Sequence, residues 1–229
     1  MSMPTATESL AAFCQAIAAD LPMRGMAVGV MRSDSIRETL YASDAVIAEI
    51  ERRQFSLGEG PVLDAFTTGR PVLVSELGAL DPARGWPVFT AEVAALAVGG
   101  LFAFPMRVGA ITIGVCEMYR AEPDPLTPPQ LTIVLRAVDL LTLTVLTLRS
   151  DGSAEAMDAS WLDGHDGATR AVYQATGMLI AQLGVPPEQA FARLRAHAYL
   201  EGRSVEQVAA DVVARRLRLD PDPDPQLPP

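Results

Sequence analysis

The side chains with the most to offer chemically cluster toward the C-terminal end of the chain. Arg193 and His197 stand four residues apart, as do Arg195 and Tyr199, so each pair shares one face of a helix. Arginine binds phosphate through a planar charged fork, and tyrosine or histidine can stack on an unpaired base. Arg203, just ahead of a further helical stretch, is placed to meet a phosphate. Arg170, Gln174, Ala175 and Gly177, on the preceding helical stretch, extend the set. A glycine inside a helix costs about 1 kcal/mol relative to alanine, so Gly177 calls for compensation. Two readings stay open: close packing between helices, or close approach of an RNA backbone or base over Ala175 and Gly177. For residues 193–199 the competing reading is a solvated outer face with Tyr199 half-buried as core. Arg215, Arg216 and Arg218 form a basic end that suits a helix C-terminus better than direct RNA contact.

Chemistry elsewhere is thin. Two histidines, His165 and His197, compose neither a catalytic triad nor a metal cluster, and no phosphate-binding glycine loop is present. Catalytic residues, metal and cofactor are therefore none by this reading, and the chain is not expected to be an enzyme. Cys116 falls in a strand-like segment, with Arg120 about 13 Å along it, too far to activate the thiol; it reads as a buried core residue. Cys14, on an N-terminal helix, reads as a poor redox partner for it. Two cysteines fit a reducing cytoplasm. Residues 1–8 lack the pattern of a signal peptide. The longest apolar run, 93–106, is short for a membrane span and is broken by Gly99, Gly100 and Pro105. A cytoplasmic location with no membrane contact is expected.

Charge focuses attention on the same C-terminal region. The 229-residue chain carries a formal net charge of −10, and all 18 of its basic residues are arginine. Residues 166–219 hold seven arginines against five acids, a balance of +2 that leaves −12 elsewhere. So acidic a chain does not bind nucleic acid diffusely; any RNA contact must use a small focused patch.

The elements that must position these groups are read from periodicity. Residues 5–20 predict a helix with Leu10, Phe13, Cys14 and Ile17 on one face. Strands are expected at 26–31 and 36–41 around the turn 33–35, then a helix at 45–53. The loop 57–61, Leu-Gly-Glu-Gly-Pro, precedes a short helix at 62–67 and a short strand at 71–74. Residues 77–86 read mostly as loop and 87–97 as a helix. Segments 100–108 and 111–119, parted by Gly109-Ala110, predict a hairpin. Helices mixed with an antiparallel sheet argue for the α+β class.

A long helix follows at 127–149. Thr127 and Gln130 form a capping box, with Pro128 at the first helical position. Leu131, Val134, Val138, Leu141, Val145 and Leu148 then recur at spacings of 3, 4, 3, 4 and 3, a coiled-coil type seam. It either packs within its own domain or also pairs with a second subunit, so a homodimer is expected. Residues 150–165 read as a linker, with a possible helical turn at 154–161, and the Asp/Pro tail 220–229 as disordered. Between them, helices at 168–183, 186–201 and 204–212 compose a three-helix bundle, opened by Pro186-Pro187 and by a Ser204/Gln207 capping box.

At this point the sequence resembles known families. Gln174-Ala175-Thr176-Gly177-Met178-Leu179-Ile180, then Ala190-Phe191-Ala192-Arg193-Leu194-Arg195, Ala198, and Arg203-Ser204-Val205-Glu206-Gln207-Val208-Ala209 resemble the ANTAR domain over about 166–219. Thr176 departs from the lysine that family often carries. Residues 5–149, through their order of elements and the loop 57–61, resemble a GAF domain, so the sheet is expected to be GAF-like. The resemblance implies domains at 1–149 and 166–219. It implies a signal-responsive regulator that binds hairpin loops in nascent leader RNA and prevents termination. Its GAF-like domain would take an unidentified small molecule or hold a dimer. The alternative is a sensor or protein-interaction module without RNA binding.

Overall fold

The computed structural model describes residues 6–19, 21–33, 36–81, 85–150 and 167–219. The linker expected at 150–165, beyond Ser150, the turn at 34–35 and the tail 220–229 lie outside them. The chain divides into two units, Met1–Ala154 and Glu155–Pro229.

In the first unit, alternation of side chains across strands builds a sheet with two covered faces. Strands β1 (Gly25–Ser33), β2 (Ile36–Ala42), β3 (Val72–Val74), β4 (Gly100–Val108) and β5 (Ile111–Arg120) lie in the order β2-β1-β5-β4-β3. Every neighbouring pair is antiparallel. One face carries Met26, Val28, Val30, Phe102, Phe104, Met106, Cys116 and Met118. It is covered by α1 (Ala6–Ala19) and α5 (Pro128–Ser150). The other face carries Ala27, Leu101, Ala103, Val115 and Tyr119 and is covered by α2 (Ala45–Leu57), α3 (Pro61–Thr68) and α4 (Pro87–Val93). The class is α+β, as the sequence implied. Gly109, at φ 60°, makes the left-handed turn of the β4–β5 hairpin.

Local signals hold where they are self-contained. At the start of α5 the Thr127 N–H donates to Gln130 Oε1 at 3.0 Å and the Gln130 N–H to Thr127 Oγ1 at 3.4 Å, the expected capping box. The helix expected at 87–97 is shorter: α4 ends at Val93 and the chain turns through 94–98. The physical reason is the sheet. Gly99 must enter β4 pressed against the backbone of 121–123, where its N–H donates to the Arg120 carbonyl at 2.8 Å. Within the expected loop at 77–86, Leu77–Ala79 form one 3-10 turn.

The seam of α5 requires a correction. Val134, Val138, Leu141 and Val145 are buried against the sheet and α1, with Leu131 and Leu148 packed at the edge of that core. The stripe therefore serves this domain and is not free to meet a second subunit. The outward face holds a different apolar set, Ile133, Leu135, Leu140 and Leu143, with Leu140 52% and Leu143 60% exposed. By length and mean hydropathy Pro128–Leu148 is the one candidate membrane span among the described residues. Its inner face is instead part of the domain core.

The second unit is a bundle of α6 (Gly167–Leu183), α7 (Pro187–Leu200) and α8 (Val205–Val213). Its core is apolar throughout: Val172, Ala175, Leu179, Ala190, Phe191, Leu194, Ala198, Val205, Val208, Ala209 and Val212 are buried. Gly184, at φ 65°, stops α6. Ser204 and Gln207 close a capping box on α8, with Gln207 N–H to Ser204 Oγ at 3.3 Å and Ser204 N–H to Gln207 Oε1 at 3.2 Å. Past α8 the chain folds back, so that Leu219 is buried and its carbonyl accepts from the Gln182 side chain.

Candidate nucleic-acid interface

Three segments of the bundle position the expected contact residues. On α6, Arg170, Gln174 and Gly177 are exposed at spacings of four and three, which places them on one outward stripe. Ala175 is the exception: it is fully buried in the bundle core and cannot touch RNA, so that assignment is corrected. A side chain two residues along a helix from Gly177 points some 200° away from it. A Cβ built on Gly177 would meet nothing within 4 Å. Close helix packing within the bundle therefore does not account for this glycine; it leaves bare backbone facing outward.

On α7, Tyr199 is 61% exposed, which rules out the core reading, and the neighbouring Leu200 is 83% exposed. Leu200 escaped the sequence reading because a leucine at a helix end looks like core. Arg195 lies with its guanidinium carbon 4.5 Å from the centre of the Phe191 ring, a cation–π contact that holds it half-buried beside the outer face. His197 Nε2 lies 3.2 Å from Glu201 Oε1. Arg193 is half-buried on the same helix.

Arg203 differs from what its position implied. It is ion-paired to Glu201 Oε2 at 3.0 Å and to Asp211, and donates to the Gln207 carbonyl at 3.3 Å. Its hydrogen bonds to Asp211 and Glu201 raise its pKa further, and those from Arg203 and Arg216 hold Asp211 below the usual carboxylate range. Arg203 thus ties the α7–α8 turn to α8 rather than standing free for phosphate. Arg216 also pairs with Asp211, and Arg215 takes a left-handed φ of 57° as the chain leaves α8.

The first unit contains a polar group that sequence reasoning missed. Glu117, in the middle of β5, is fully buried among β1 and β4 neighbours Ala27 and Ala103. Gln54 of α2, also fully buried, donates from Nε2 to both Glu117 oxygens at 2.9 and 2.8 Å. The Gln54 Oε1 in turn accepts the Val62 N–H of α3 at 2.8 Å. Beside them Arg37 of β2 is ion-paired with Glu51 of α2, both buried. Burial pushes the Glu117 carboxyl up to about 7, against the pull of Arg37 and the Gln54 hydrogen bond. The available signal was one acidic residue inside an apolar strand, between Cys116 and Met118.

Both cysteines are buried in the same core cluster under α1 and α5. Cys14, on α1, thus shares a core with Cys116 of β5. Burial pushes Cys14 up to about 12 and Cys116 well above its ordinary value. Neither is a ready thiolate at neutral pH.

Comparison with known proteins separates the two units. The ANTAR domain family matches residues 168–213, the span of the bundle. Among solved structures, the chain is similar to a domain of a protein described as a two-component sensor histidine kinase from Sinorhizobium meliloti 1021. That similarity is at 13% identity and a TM-score of 0.53, over 67% of this chain and 99% of that one. It is also similar to the GAF domain region of a protein described as a membrane protein from Geobacter sulfurreducens PCA, at 10% identity and a TM-score of 0.50, over 62% of this chain and 93% of that one. These two likenesses concern fold. No curated protein matches the chain. The first unit shares its fold with these domains, and the second matches a domain family in sequence. The particular architecture is GAF–ANTAR: a GAF-like α+β domain followed by an ANTAR domain at 168–213.

Proposed function

We propose that this chain is an RNA-binding antitermination regulator. Its bundle would grip hairpin loops in nascent leader transcripts, keep the competing terminator stem from forming, and let polymerase read on. It acts by binding rather than by catalysis, and in the cytoplasm, where the transcript emerges. The observation that carries this reading is Tyr199, exposed at 61% on the helix that carries Arg193 and Arg195, in a bundle matched by the ANTAR family. An exposed aromatic ring offers a stacking face to an unpaired base, and arginine supplies phosphate contact. The outward stripe of Arg170, Gln174 and Gly177 offers a second approach, in which bare helix backbone comes close to the RNA.

The GAF-like unit, folding as residues 1–149, would receive the signal as a small molecule or hold two copies together. A homodimer would use the outer face of α5, since Ile133, Leu140 and Leu143 are exposed at spacings of seven and three. Residues 150–165 would then join it to an RNA-binding unit at 166–219.

The test is binding of a leader hairpin RNA by Tyr199→Ala, with thermal melting measured on the same sample. Loss of one stacked base weakens binding by about 1–3 kcal/mol, roughly 5- to 150-fold. The melting temperature and the dependence of affinity on salt should stay put, because no phosphate contact is lost. Wild-type affinity in the variant contradicts the reading at this surface.

A further inference from the structure

The buried cluster in the sensor unit joins three elements through one side chain. Gln54 reaches from α2 to Glu117 on β5 with its amide nitrogen and to the first turn of α3 with its amide oxygen. The carboxamide has one donor end and one acceptor end, and both are committed. Gly60, at φ 135°, packs directly on it: a Cβ there would lie 2.5 Å from Gln54 Cγ and Oε1. The loop 58–61 is therefore moulded over this amide.

We propose that Gln54 is a proton-operated latch that couples the state of Glu117 to the position of α3. With Glu117 ionised, both its oxygens accept from Gln54 Nε2, and Oε1 is left to hold the Val62 N–H. A proton taken from water onto Glu117 turns one acceptor into an O–H donor, which then needs an acceptor of its own. A half-turn of the carboxamide brings Gln54 Oε1 to that O–H and sets Nε2 against the Val62 N–H. Two donors then face each other, and the first turn of α3 is released. The inference concerns the sensor unit alone and does not rest on RNA binding.

The surroundings suit a group that titrates near neutrality. Burial pushes Glu117 up to about 7. Charged groups on its side of the sheet include Arg37 of β2 and Glu51 of α2, paired with one another, and Arg107 of β4, whose guanidinium donates to the Gly69 carbonyl just past α3 at 3.4 Å. Thr39 Oγ1 also donates to Glu51, at 3.4 Å. From α3, Asp64 is exposed and accepts from Trp86 Nε1 at 3.2 Å. From β1 and β4 the directly opposed residues are alanines. Cys116 points to the opposite face, and Tyr119, further along β5, donates to Asp44 at 3.4 Å. With Glu117 ionised, the Arg37–Glu51–Glu117 group carries one net negative charge in the interior; protonation removes it. Between the ordinary 4.5 and about 7 the folded chain keeps a proton that the unfolded chain has lost. Stability therefore falls as pH rises through that window and levels off above it.

Trp86 reports on α3 through its bond to Asp64, so its fluorescence reads the latch. The experiment uses the full chain with Trp161→Phe, which leaves Trp86 as the sole tryptophan, titrated from acid to alkaline pH across neutrality. The expected result is one transition near neutral pH that is absent from Glu117→Gln, a variant that retains both histidines. In Gln54→Met the carboxyl should still titrate, seen as a protonated-carboxyl band in infrared difference spectra, while Trp86 no longer follows it. A flat wild-type curve, or the same transition in Glu117→Gln, overturns the proposal. So does a Trp86 response that survives Gln54→Met. Should either variant fail to fold by circular dichroism, the wild-type titrations decide: no protonated-carboxyl band with a midpoint near neutrality, distinct from exposed carboxylates that protonate at about 4, or a Trp86 curve that does not follow that band, overturns it.

Discussion

The two units handle charge in opposite ways. The GAF-like unit takes it inside: Arg37, Glu51, Glu117 and Arg120 are all buried. The bundle has no buried charged residue among those described; its core is apolar and its arginines lie at or near the surface. A buried charge is tolerated only with partners in place, so the interior of the first unit responds to protons and to anything that rearranges those partners. A bundle with an apolar core keeps its shape and is free to vary its surface, which suits a unit that meets another molecule. On the proposed reading, sensing would fall within the first unit and contact on the outside of the second.

The largest expected effect breaks the contrast from the inside. Glu51→Ala removes the carboxylate with which buried Arg37 is ion-paired, and breaking such a pair costs about 3–5 kcal/mol. Denaturant unfolding of the first unit should shift accordingly, with the bundle's own transition unchanged. A shift of less than about 1 kcal/mol, the range of surface pairs, would mean that the cluster is well hydrated.

On α5 the same contrast separates neighbours in sequence. Leu140→Asp lies on the exposed face and should dissociate a dimer at little cost to folding. Leu141→Ala lies in the core and should cost about 2–5 kcal/mol of stability. Sedimentation and melting read the two effects separately. Sedimentation of the unmodified chain as a monomer at high concentration contradicts pairing through this face.

The smallest effect is the most discriminating for the bundle. Gly177→Ala removes a helix-interior glycine with open space around it, so it should stabilise the bundle by about 0.5–1 kcal/mol. If RNA approaches that stripe, the same variant binds the hairpin less tightly. Stability and affinity then move in opposite directions. Unchanged affinity would assign recognition to the Tyr199 end of α7 alone.

Legibility in the sequence followed the range of the interactions. The capping boxes at Thr127 and Ser204 were readable because both partners lie within three residues. The hairpin at Gly109 and the three helices of the bundle were readable for the same reason. The heptad stripe of α5 was visible, but periodicity names a face and not its partner; of the two readings it left open, packing within the domain is the one the stripe takes. Ala175 and Tyr199 differ in this respect: helical phase already sets Ala175 with Val172 and Leu179, on the face away from Gly177, whereas only the packed bundle shows that Tyr199 turns out. The Glu117 cluster was the least legible, because Gln54 lies 63 residues away in sequence. The Arg203–Asp211 pair, eight residues apart across a turn, escaped for a milder version of that reason.

The central claim is that the bundle holds RNA on the outer faces of α6 and α7. Ultraviolet crosslinking of the full chain to transcripts in cells, with recovery of the RNA and mapping of the crosslinked peptides, tests it most directly. The account predicts leader hairpins attached through Tyr199 or through the stretch holding Gln174 and Gly177. Recovery of no RNA above background, or crosslinks confined to residues 1–149, would contradict it.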